Sequence, residues 1–493
     1  MKILAIDIGT QSIRAAILNQ TGSVLSISQE IQKISSPYPG WAQQKPKIWW
    51  DLTKDAVSDV LYKSKVDRSS IKAICTCGQM HGPVGIDSRG NITTEWTQIW
   101  MDKRCEDICK QLRKNNDESE LAEKITGNPI TSGWPGIKVR WIKENQPEIY
   151  KKTRYFLVPK DFINFMISKV AATDYSEASG TYLYDYNIEN YSSKMADIVD
   201  IDLEKFAPIH NSYDIIGNIT KDFAKEFSLS PDTPVLVGGG DFLVSLLGLG
   251  LIDEKTAIDM TGTSTLFVIY KKKPIVQPMV QNLRHVIKGW VPFTMLDCGG
   301  LSMKWFKDFL NSIGKVEISY DEIIKMAESI PIGSDGLLFY PYMLGERRKE
   351  NNLARGCFFG INLNHTIAHF ARAVMEGVSL ALGKDMQIFK NLGVNIKQVT
   401  CVGGATRNKL LYQIKSDVMQ IPHILMGEPE ASLRGCGLLS AYALGLIKNF
   451  DNLNDINEIK ITKIHPDKTL ADKYNNLLME FKKLYNHLLG YWS

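Results

Sequence analysis

At 493 residues the chain is too long for one ordinary core, and roughly two to four domains are expected. A hydrophobic fraction of 44% and a charged fraction of 23% are those of a folded globular protein, which sets aside a disordered or fibrous chain. A net charge of +4, from 58 basic and 54 acidic residues without a concentrated basic stripe, argues against a nucleic-acid partner and for a small-molecule one.

The chain opens on Ile3 to Ile6, an apolar run suited to a buried strand, which ends in Asp7-Ile8-Gly9-Thr10-Gln11-Ser12. Because an acid interrupts it at Asp7, the run is too short for a signal peptide. A second strand over Arg14 to Leu18, a turn at Gly22 and a third strand over Ser23 to Ile31 complete an antiparallel meander. Val235 to Val237 reads as a strand running into Gly238-Gly239-Gly240-Asp241. The following apolar stretch, Leu243 to Ile252, is about half a membrane span, so no membrane partner is expected.

Near the middle the opening pattern returns. Thr256 to Met260 reads as a strand, Thr261-Gly262-Thr263-Ser264 as a turn and Thr265 to Tyr270 as a strand. Two strand–turn–strand units of this kind suggest a duplicated α/β domain, divided near Gly248 to Asp253, with the substrate cleft between the halves. Helices dominate the rest: His365 to Leu392, Thr406 to Gln420 and Leu470 to Leu489 each place apolar residues three or four apart. The eight cysteines, at 75, 77, 105, 109, 298, 357, 401 and 436, form no Cys-x-x-Cys pair, which fits a reduced cytoplasmic protein. A zinc site from Cys75, Cys77 and His81 lacks a second ligand pair at usual spacing.

Two common nucleotide motifs are set aside. Gly248 to Thr256 has Glu254 where a Walker loop needs glycine before Lys255, and Gly238 to Asp241 lacks the spacing of a dinucleotide fingerprint. The alternative is a pair of glycine turns facing each other across a cleft. Gly9-Thr10-Gln11-Ser12 offers backbone N–H groups and hydroxyls to anionic oxygens, and Arg14 adds positive charge. Asp7 could hold Mg²⁺ through water, since Mg²⁺ favours few carboxylates plus phosphate. Either turn alone could be a plain hairpin; their equivalent places in two half-chains favour phosphate binding. Asp241 is open to two readings, a helix N-cap before an apolar run or an acid projected into the cleft.

Over essentially its whole length the chain resembles the FGGY family of carbohydrate kinases. The opening DIGTQSIRAAIL is similar to the family's first phosphate motif. GWPGIKVRWIKEN (133–145) fits one long signature, with Pro135, Lys138 and Trp141 in place, and GCFFGINLNHTIAHFARAVME (356–376) fits the other through Gly360, His369 and Ala373. The resemblance implies two actin-like (ribonuclease-H-like) domains, 1–249 and 250–493, binding ATP and a sugar in the cleft between them. It implies Asp241 as catalytic base, with Phe242 where the family usually has Asn or Gln. It places Thr10, Gln11, Ser12 and Arg14 in the first nucleotide loop and Thr263 in the second, Gly300 against the nucleotide, and Gly404 and Asn408 at the adenosine site.

Gly78-Gln79-Met80-His81-Gly82 resembles the xylulokinase branch, whose Met-His pair contacts the sugar; glycerol kinases carry Arg-Glu there. Asp102, in WMDKR, and Glu346-Arg347, in LGERRKE, match family segments less completely, Asp102 as a substrate contact. The expectation is ATP- and Mg²⁺-dependent conversion of D-xylulose to D-xylulose 5-phosphate, with another pentulose, a polyol or a sugar acid as alternatives. A homodimer is compatible with the resemblance. Two other classes remain open. A non-catalytic sugar or nucleotide sensor is disfavoured by Asp7, Thr263 and Asp241 together, and a chaperone-like ATPase by the segment at Met80 and His81.

Overall fold

The computed structural model describes residues 1–314, 317–346, 353–427, 430–450 and 461–492; Arg347 lies outside them. Two mixed sheets of seven strands organise the described residues. In the first, six strands run in the order Val24–Ile31, Ser12–Leu18, Lys2–Ile8, Ile71–Gly78, Pro234–Leu236, Ile215–Asn218, and the seventh, Gly239–Gly240, pairs parallel with the end of Ile71–Gly78. The first three pair antiparallel, the next two join parallel and the last antiparallel. The second sheet repeats that series of pairings with Trp290–Leu296, Thr265–Ile269, Thr256–Thr261, Gln398–Val402, His423–Met426 and Ile461–Ile464. Gln281–Arg284 adds a strand outside Trp290–Leu296. The duplication expected from two short motifs is thus a duplication of whole-sheet topology.

The central strands explain themselves. Ile3, Leu4, Ala5, Ile6 and Ile8 are all fully buried, as expected of a strand covered on both faces rather than alternating in and out. Helix Pro46–Ser64 covers one face with Trp49, Val57, Val60 and Leu61. Helix Ile367–Asn391 differs from its sequence reading of a single apolar face. Every residue from Ala371 to Met386 is buried, because helices pack around it on several sides. Its charged residues are therefore paired inside: Arg372 Nε donates to Glu376 at 2.9 Å, and Arg372 Nη2 to the Tyr474 hydroxyl at 3.0 Å.

Element bounds agree with the sequence reading within a few residues, as at Ala471–Trp492 and Lys409–Met419. The second half does not keep to its own sheet. Helix Ala431–Ala443 crosses to pack on helix Asp241–Gly248 and on the strands Lys2–Ile8 and Ile71–Gly78. Glycines permit the close crossing: a Cβ on Gly435 would overlap the Val244 carbonyl, and one on Gly248 the Ala431 carbonyl. Among the described residues no helix is long and apolar enough to cross a membrane.

Candidate active site

Three adjacent strand ends converge on one place. Ile8 pairs with Gly78 at the carboxyl ends of two parallel strands, and Gly239 and Gly240 pair with Cys77 and Gly78. Asp7, Gln79-Met80-His81 and Asp241 therefore emerge side by side, at the carboxyl ends where open α/β sheets present ligands.

The loop bearing Asp241 is held rigidly from behind. Gly238 adopts φ +68°, and a Cβ there would overlap the Thr76 carbonyl, so only glycine fits the bend. Asn164 Nδ2 and Lys160 Nζ donate to the Val237 carbonyl at 2.8 and 3.2 Å, and the Gly240 N–H donates to Ser176 Oγ at 3.1 Å. Lys160 is itself buried between Asp161 and Asp174. These supports were missed in the sequence, where the available signal was polar residues inside otherwise apolar stretches.

Asp241 is the first residue of its helix, and Gly240 takes the cap position. The N-cap reading is corrected accordingly: the carboxylate accepts from the adjacent Phe242 N–H at 2.6 Å rather than from a later turn. Burial, and then the negative charge of Asp7, push its carboxyl up to about 7. Arg14 acts in the opposite direction but more weakly.

Asp7 is almost fully buried. Its Oδ2 is held by Arg14 and by Ser432 Oγ at 2.8 Å, while Oδ1 has no hydrogen-bond partner. Arg14 also pairs with Glu430 and donates to Ser432 at 3.0 Å. Ser432 and Glu430 belong to the crossing helix and its approach, so the second half of the chain completes the surroundings of the first glycine turn. Nothing local in the sequence signals that contact, which spans 425 residues between Asp7 and Ser432.

The first turn also touches the Gln79-Met80-His81 segment. Thr10 Oγ1 donates to Gln79 Oε1 at 3.1 Å and accepts from Trp100 Nε1 at 3.1 Å, and Gln44 Nε2 donates to the Thr10 carbonyl at 2.8 Å. Trp100 remains 43% exposed, an aromatic surface beside the turn that the sequence reading passed over in favour of Asp102. Gln11 is exposed at the tip, and Ser12 begins the returning strand.

Met80 packs on the backbone of Gly240, where an added Cβ would meet its Sδ at 2.8 Å. His81 has φ +71°, unusual for a residue with a side chain, and the buried Lys138 Nζ donates to its carbonyl at 2.9 Å. Burial, with a smaller contribution from Lys138, lowers the imidazole to about 3, so the ring is neutral at working pH. It stands edge-on to Trp134 with ring centroids 5.1 Å apart, and its Nδ1 is buried without a partner. The ring is therefore neutral and keeps one nitrogen whose hydrogen-bonding capacity is unmet by the protein.

Asp102 is placed differently from expectation. Arg104 Nε and Nη2 donate to it at 3.0 and 2.7 Å, and the Ala42 and Arg104 N–H groups at 2.6 and 2.9 Å. With both oxygens taken, the geometry gives Asp102 a role in fixing its loop rather than in touching a sugar.

On the second sheet, Gly262 and Thr263 are exposed at the tip of their turn. The Leu301 N–H donates to the Thr263 carbonyl at 2.9 Å, and a Cβ on Gly300 would overlap the Gly262 carbonyl. Gly404 faces open space, whereas Asn408 caps helix Lys409–Met419 through Leu411 N–H at 3.0 Å.

Comparison with known proteins bears on family and fold. The model of the FGGY family of carbohydrate kinases, N-terminal domain, matches residues 2–248, and that of the C-terminal domain matches 260–444. A xylulose kinase of Staphylococcus epidermidis is 31% identical, covering 98% of this chain and 96% of its own length. A gluconokinase of Bacillus subtilis is 26% identical over 98% of this chain and 95% of its own. The crystal structure of xylulose kinase from Rhodospirillum rubrum superposes with a TM-score of 0.92 at 25% identity, covering 100% of both chains. The chain belongs to the FGGY family of carbohydrate kinases.

Proposed function

We propose that this kinase transfers the γ-phosphoryl group of ATP to a hydroxyl of a ketopentose, D-xylulose before other sugars, forming D-xylulose 5-phosphate. The observation that carries the reading is Asp241: a partly exposed carboxyl with its pKa raised to about 7, projecting from a stapled loop between Asp7 and the Met80-His81 segment. A base poised near neutrality can take the sugar's proton as the bond to phosphorus forms. Full-length similarity to xylulose kinases and the neutral, partnerless Nδ1 of His81 support the sugar assignment.

The remaining residues have roles in the same scheme. Thr10, Gln11, Ser12 and Arg14 on one side and Thr263 on the other line the phosphates, Gly300 lets the backbone approach them, and Gly404 and Asn408 border the adenosine. Phosphoryl transfer asks mainly for positioning and charge stabilisation, which two rigid glycine turns supply. The residues present fit a Mg²⁺ ion, because Asp7 Oδ1 is an anionic oxygen left without a protein donor. Bound there, Mg²⁺ would neutralise phosphate charge. Asp7 would position it, and Asp241 would remain free to handle the proton.

The test is ATP turnover against D-xylulose, other ketopentoses, gluconate, polyols and glycerol. D-xylulose should give the highest kcat/KM. A preference for gluconate or glycerol would overturn the sugar assignment while leaving the kinase family intact.

A further inference from the structure

The strand Thr256–Thr261 carries an acid, Asp259, that the proposed chemistry does not use. It is fully buried, as is Lys415 on helix Lys409–Met419. Lys415 Nζ donates to Asp259 Oδ2 at 2.7 Å and to Thr261 Oγ1 at 2.9 Å, and lies 4.6 Å from the Tyr412 ring centroid. The Thr261 hydroxyl donates to Asp259 Oδ1 at 2.5 Å and lies 3.0 Å from Thr265 Oγ1. Asp259, Cys401 and His423 bring ligand-type atoms within 4.8 Å of one another, yet the ammonium group already balances the carboxylate, so the cluster is complete as an ion pair.

A buried ion pair contributes little net stability compared with apolar packing, but it fixes the groups that share it. Here the shared group is Thr261, which pairs with Thr265 at the base of the Gly262-Thr263-Ser264 turn. Two other loops rest on the same two residues. A Cβ on Gly403 would overlap the Thr261 carbonyl, and a Cβ on Gly299 would overlap Thr265 Oγ1. The second turn, the start of helix Gly300–Ile313 and the Gly403-Gly404 loop thus take their register from one buried anchor.

We propose that Lys415 and Asp259 are positioning residues that act through the Thr261 hydroxyl to hold the second phosphate turn against the nucleotide. The inference rests on the reading of that turn as a phosphate contact.

Thr261→Val removes the hydroxyl and keeps the shape. The dissociation constant for ADP and the KM for ATP should rise about tenfold, the scale of one lost charge-assisted hydrogen bond, with the sugar KM unchanged. Thr261→Ser should recover most of the loss. The double variant Lys415→Met/Asp259→Asn leaves no unpaired charge and should show the same nucleotide-selective weakening in an independent background. Parental ADP affinity in Thr261→Val, beside weakened ADP binding in Thr263→Ala, would overturn the positioning role and leave the phosphate reading standing. Parental affinity in both would remove the phosphate reading and the inference with it. An equal loss of ATP and sugar affinity would reduce the cluster to general stability and overturn the proposal.

Discussion

Asp241→Asn separates base from scaffold. Among the described residues the carboxylate's hydrogen bond is from the Phe242 N–H, and an amide oxygen accepts it equally, so the helix start should persist. The variant cannot take up a proton, and turnover should fall about 10²–10⁴-fold with ATP affinity retained. Charge gives a second readout. The carboxyl is raised from 3.8 to about 7, so between those values the folded chain holds a proton that the unfolded chain has released. Stability therefore drops as pH climbs through that window, and the full cost is present above it.

Converted in full, a rise from 3.8 to about 7 corresponds to about 4 kcal/mol. Asp241 is partly exposed, and solvent screening reduces this to about 1–2 kcal/mol. Asn carries no charge, so the variant should melt higher than the parent at alkaline pH, by on the order of 2 °C, with the gap closing toward acid. The assay is coupled ADP release between about pH 5.5 and 8.5, with melting curves on the same preparations. The parent's kcat/KM should decline below about pH 7, as one proton blocks the base. A flat profile, or a variant within about tenfold of parental turnover, would refute the assignment.

Asp7→Asn should lower turnover by about 10²–10³-fold and weaken the apparent affinity for Mg²⁺ in steady-state titration. Because Asp7 helps to raise Asp241, its residual activity should also show an acid limb displaced to lower pH. His81→Ala should raise the sugar KM by about tenfold with little effect on the ATP KM, since it removes one polar contact to the sugar. Equal changes in both constants would identify His81 as a structural residue.

The sheet cores were legible in the sequence because a doubly covered strand is mostly apolar, and the run Ile3 to Ile6 says so directly. The glycine turns were legible because few residues tolerate such bends. The environment of each site residue was not. Asp102 looked like a substrate contact, and only the position of Arg104 and Ala42 reveals a saturated carboxylate. For Asp241 the sequence left a helix cap open beside the catalytic acid, and one residue of register puts Gly240 at the cap position instead. The breadth of burial along Ala371 to Met386 was likewise hidden, since periodicity reports one face while packing on several sides buries the rest.

The least legible feature is the one that joins the halves. Asp7 could not be buried without compensation, and its own segment supplies only Arg14. The remainder comes from Ser432, in the first turn of a helix whose N-terminal end favours negative charge nearby. Arg14 is shared in turn with Glu430, so the guanidinium sits between an acid from each half. That sharing leaves Asp7 Oδ2 satisfied and Oδ1 open. An orphaned buried carboxylate oxygen is costly, and a protein retains one where a ligand will meet it. The same contact ties the first glycine turn to the helix that crosses from the second half. A movement of that helix relative to the first sheet must therefore disturb the charges around Asp7, and with them the proton affinity of Asp241.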